Sequence, residues 1–123
     1  MKRIQLSNVT TKDLVERFAQ IGVAQDRALL GGEITKFNRL FDQMATVSNE
    51  LKSREGDQRS ALMVLYDYPN IQVRLKAAKH TLAVAPVEAR RQIEAIAASN
   101  WMPQAGDAGM SLWNLDRGVY KPT

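Results

Sequence analysis

One histidine, thirteen carboxylates, seventeen basic side chains and no cysteine make up the chemical inventory of this chain. His80 alone supplies neither a zinc ligand set nor a nucleophile–base–acid relay, since each needs several converging groups. The absence of cysteine excludes thiolate catalysis and a disulfide framework. Asp42 and Glu50 lie two turns apart on one helical face and read as solvated charges. A catalytic carboxylate pair needs a concave, desolvated setting instead. Gly31-Gly32-Glu33 and Gly106-Asp107-Ala108-Gly109 follow no strand and match no phosphate-binding loop. Helix termination and turn geometry account for both. No metal, no organic cofactor and no enzymatic activity is therefore expected.

The basic residues are more informative. Net charge is +4 over 123 residues. Between Asn70 and Gln92, Arg74, Lys76, Lys79, Arg90 and Arg91 face Glu88 alone, so this window carries the whole surplus. Such a patch suits an acidic protein partner, nucleic acid or simply a solvated face. For nucleic acid, Lys76, Lys79, Arg90 and Arg91 are the candidates, though no aromatics are interleaved for base stacking. No apolar stretch approaches the ~20 residues of a membrane span, and MKRIQLSNVTTKDL lacks the apolar core of a signal peptide. A cytoplasmic protein without a membrane partner is the simplest expectation.

Apolar spacing is helical almost throughout, which predicts an all-α chain of about six helices in one domain. Residues 1–9 precede the first signal and are expected to be flexible. Thr10 caps a first helix that places Leu14, Phe18, Ile21, Gly22, Gln25, Ala28 and Leu29 on one face, with Gly31-Gly32 as its stop. A second helix spans about Glu33 to Arg54, with Ile34, Phe37, Leu40, Phe41, Met44, Val47, Ser48 and Leu51 inward. Asp57 would cap a third, ended by Pro69. Asn70 caps a fourth over residues 70–85, and Pro86 opens a fifth that ends near Asn100. In the closing segment, 101–123, Pro103, Gly106 and Gly109 should delay a last short helix until about Met110. That segment would cap the domain.

On the fourth helix, at about 100° per residue, Ile71, Leu75, Ala78 and Leu82 form one apolar sector and Val73, Ala77 and Val84 another. Arg74 falls in the seam between them. Gln72, Lys76 and Lys79 point clear of both. A helix gripped on two sides is what stacked helical hairpins produce.

Pro69-Asn70, Val73-Arg74, Ala77-Ala78 and Leu82 resemble the second helix of a HEAT repeat. That likeness implies an α-α superhelix and a structural Arg74 reaching an acidic or carbonyl group of a neighbouring repeat. It also implies a concave surface lined by second helices, here Asn38, Asp42 and Gln43 beside Gln72, Lys76 and Lys79. The stretches AQD at 24–26, NRLFDQM at 38–44, GDQR at 56–59 and PQAGDAGM at 103–110 resemble a small bacterial family of unknown function with HEAT-like hairpins. That resemblance implies a fold and no activity. The chain is expected to be a non-catalytic protein-binding module, an adaptor or, as small bacterial helical-repeat proteins sometimes are, a toxin-immunity protein. The basic face calls for a partner with an acidic patch. Gln25, in the middle of an apolar stripe, is either a core amide or a polar contact in a groove. Trp101 and Trp113 either close the last core face or anchor a partner.

Overall fold

The computed structural model describes residues 5–123, and among them every regular element is helical. Five α-helices occur: α1 Thr11–Leu30, α2 Ile34–Ser53, α3 Ile71–His80, α4 Pro86–Ala98 and α5 Gln104–Asp116. Two 3-10 helices accompany them, Leu6–Asn8 and Gln58–Asp67. The chain forms two compact units, residues 1–61 and 62–123.

In the first unit, α1 packs on α2. Thr10 Oγ1 accepts from the Asp13 amide at 3.1 Å, which satisfies one of the open donors at the start of α1. Gly31 closes α1, and Gly32 at φ +68° makes the turn that a side chain would strain. Leu14, Phe18, Met44 and Leu51 are among its most deeply buried side chains. Of the segment expected to be flexible, residues 1–4 lie outside the described residues. Residues 6–9 are tied down by Arg54, whose Nη2 donates to the carbonyls of Leu6 at 2.9 Å and Val9 at 2.5 Å. Its Nε holds Glu50 at 3.0 Å.

The expected third helix is a 3-10 helix. Asp57 caps it from φ +51° instead of the usual extended geometry: its Oδ1 accepts from the Arg59 amide at 3.3 Å, and its carboxylate grips the Arg59 side chain through Nε at 2.9 Å and Nη2 at 2.7 Å.

In the second unit α4 packs on both α3 and α5. Its core joins Leu75, Ala78, Leu82, Ala89, Ile93, Ile96 and Ala108, with Leu112 and Leu115 leaning on it. Asn70 caps α3 by accepting from the amides of Gln72 and Val73. Pro86 stands at the start of α4, where its missing donor costs nothing. Two boundaries differ from expectation. The helix over 70–85 stops at His80: the Thr81 amide bonds the Ala78 carbonyl three residues back, at 3.2 Å, and Thr81 Oγ1 donates back to the Ala77 and Ala78 carbonyls at 2.8 and 3.1 Å and lies 2.6 Å from the Tyr66 hydroxyl. A turn then follows, in which Leu82 and Ala85 stay buried. At the other end, α5 begins at Gln104, and Gly106 and Gly109 lie inside it instead of breaking it. Ala105 and Ala108 are buried in the same stretch, so packing outweighs the roughly 1 kcal/mol each interior glycine costs.

Candidate functional site

The polar row of α3 meets α5. Gln72, Lys76 and Lys79 recur one turn apart, so they share a face. Gln72 Oε1 accepts from Gln104 Nε2 at 2.9 Å, with both residues buried. Lys79 Nζ pairs with Asp107 Oδ1 at 3.1 Å. Lys76 lies between these two contacts and is 5% exposed. Burial pushes its amine down to about 8, the Lys79 cation adds to that, and Asp107 opposes it.

This corrects the surface read from the sequence. Gln72 and Lys76 do not face water, because the helix that begins at Gln104 instead of Met110 extends far enough to reach them. Asp107 is an acidic group the basic row meets, and it belongs to the same chain. Asn38, Asp42 and Gln43, by contrast, are exposed on α2.

The alternative basic face is also largely consumed. Arg90 makes a two-pronged bond to Asp116, at 2.9 and 3.2 Å, and a third to Glu94 at 3.2 Å. Arg91 is exposed, but Lys76 is buried and Lys79 and Arg90 are paired. The four residues do not form one free cationic surface. Among the described residues Arg74 Nε is buried with no hydrogen-bond partner, so the acidic or carbonyl acceptor expected for it is missing.

The remaining singled-out residues resolve as follows. Gln25 is fully buried and its Nε2 lies 3.8 Å from Met44 Sδ, a contact inside the α1–α2 interface. Glu50 serves Arg54. His80 is half-buried, and among the described residues no group of three or more His, Asp and Glu side chains is arranged to hold a metal. No helix among them is long and apolar enough to cross a membrane.

Sequence periodicity missed one exposed apolar surface and left the exposure of a second open. On α2 the buried stripe is limited to Met44, Val47, Ser48 and Leu51. Ile34 and Phe41, expected inward, are 73% and 50% exposed, and Leu30 at the end of α1 is 79% exposed. A depression of about 90 Å³ opens beside them, lined by Ala28, Leu29, Gly32, Glu33, Ile34 and Phe37. On the wheel of α2, Asn38 and Asp42 follow directly on the Ile34–Phe41 edge, while Gln43 lies on the other flank of the buried stripe. The second surface is in the closing segment. Trp101, Met102, Met110 and Trp113 are each more than half exposed, so the tryptophans do not close a core face. Arg117 lies 4.4 Å over the ring of Trp113, in cation–π geometry.

Comparison with known proteins fits this all-helical chain. The crystal structure of the protein RPA1889 from Rhodopseudomonas palustris CGA009 superposes with a TM-score of 0.95 at 60% sequence identity, covering 98% of this chain and 100% of that one. No curated protein matches the sequence. The model of a family described as a domain of unknown function, DUF2019, matches residues 12–116, and the chain belongs to that family.

Proposed function

We propose that this chain is a non-catalytic protein-interaction module, an adaptor or an immunity protein, that binds through the α1–α2 turn and the first half of α2. One observation carries the reading: Leu30 and Ile34 are largely exposed, and Phe41 half exposed, beside a depression with room for an apolar side chain. Asn38 and Asp42 border that surface as exposed polar groups. An apolar centre with a polar rim is the usual anatomy of a protein interface. The partner presents an apolar anchor, and the exposed Asn38 and Asp42 at its rim favour hydrogen-bonding or basic groups around it. The HEAT-like arrangement belongs to this proposal, since the hairpins α1–α2 and α4–α5 are the kind of unit such a chain repeats.

A displayed library of random peptides panned on the folded chain tests it, with Ile34→Ser/Phe41→Ser as the counter-target. Both positions are exposed, so the variant should keep the circular dichroism spectrum of the parent. Enrichment of apolar-anchored peptides that fail on the variant supports the reading. Peptides that bind both equally, or no enrichment at all, contradict it.

A further inference from the structure

The outer face of α5 is a separate surface in the other unit, and it has its own logic. Gly106, Met110, Trp113 and Arg117 recur at spacings of four, three and four, so they line one side of the helix. The buried side carries Gln104, Ala105 and Ala108. Trp113, Met110 and Met102, whose end lies against Gly106, are each more than half exposed and leave roughly 400 Å² of apolar surface in water, within the range of the largest patch on a monomer.

The glycines point the same way. Neither Gly106 nor Gly109 has a positive φ. A Cβ at Gly109 would meet nothing within 4 Å, and one at Gly106 would meet only the mobile end of Met102, at 3.0 Å. The fold of a single copy therefore has no steric need for glycine at position 109. Helix interiors disfavour it there.

We infer that α5 pairs antiparallel with α5 of a second copy of this chain, about a two-fold axis passing between Gly109 and Met110. In that register each small position faces a large one: Gly106 lies opposite Trp113, and Gly109 opposite Met110. Met102, unbranched and flexible, shifts to contact the incoming indole through its sulfur. Arg117 of each copy comes to lie over the first turn of the other copy's α5. Asp107, whose side chain is 42% exposed while it holds Lys79, waits there. The two-fold thus creates two matching ion pairs at flanking positions. The same patch on both copies buries on the order of 800 Å², the size of weak and transient contacts, so the dimer is weak and reversible.

Sedimentation equilibrium of the full chain, with three variants, decides the matter. Wild type should shift from monomer to dimer with rising concentration. Trp113→Ala should weaken the dimer at least tenfold. Gly109→Leu, which clashes with nothing in one copy, should abolish it while leaving the circular dichroism spectrum unchanged. The chain has no native cysteine, so Met110→Cys alone should be captured as a dimer by a short bismaleimide, and Val87→Cys, exposed on α4, should not. A wild-type chain that stays monomeric at millimolar concentration overturns the inference. So does a dimer that survives Gly109→Leu, or one that is lost instead in Ile34→Ser/Phe41→Ser.

Discussion

The side-chain amide of Gln104 donates to that of Gln72 across 2.9 Å, and the two residues are 1% and 2% exposed. This bond fixes the placement of α5 on α3 more than it adds net stability, because both amides gave up water to make it. Replacing one partner strands the other in a dry seam. Gln104→Leu and Gln72→Leu should each cost about 1–3 kcal/mol. The double variant should recover much of that, giving a large coupling energy in a double-mutant cycle read by urea melts. Additive losses would mean that the two amides act independently.

Lys76 makes stability depend on pH in an unusual direction. Its folded amine titrates at about 8, below the ordinary 10.5. Below pH 8 both folded and unfolded chains carry the proton, and the penalty for burying it is fully present. From pH 8 to 10.5 the folded state releases the proton first, and the penalty fades. Stability relative to Lys76→Met should therefore rise by about 3 kcal/mol across that window. At neutral pH the methionine variant should melt higher than the parent. A parallel pH dependence for the two chains would remove the burial argument.

Arg74 gives the opposite of the usual expectation for an arginine in an apolar seam. Its Nε is buried and unpaired among the described residues, so it carries a desolvation cost with no bond in return. Arg74→Met keeps the stem that packs and removes the stranded donor. Its melting temperature should equal or exceed that of the parent, whereas Arg59→Met, which breaks the grip on Asp57, should melt lower. A large loss at Arg74 would reveal an acceptor that the geometry does not provide.

Local signals in the sequence were reliable where the chain answers to its near neighbours. Thr10, Asn70 and Pro86 begin helices as their side chains dictate, and the Gly31-Gly32 turn is where the α1 stripe ends. Longer-range effects were not legible. Gly106 and Gly109 have poor helix propensity, but the buried Ala105 and Ala108 beside them keep the helix going. Once α5 extends to Gln104, a polar face on α3 becomes an interior seam. A helical wheel of α3 cannot show that, because the covering residues lie about thirty positions away. On α2, spacing shows which residues share a face but not how far a neighbour covers it. Ile34 and Phe41 therefore looked like core and emerged as surface.

The proposed binding surface is the exposed end of the α1–α2 hairpin and not the α3 row closed by α5. Titrating ¹⁵N-labelled protein with a peptide selected on the wild-type chain, and following backbone amide shifts, tests it most directly. Saturable shifts are expected at Leu30, Ile34, Asn38 and Phe41, with Gln72, Lys76 and Lys79 unmoved. Shifts concentrated on Gln72 through Lys79, with the hairpin end silent, would contradict it.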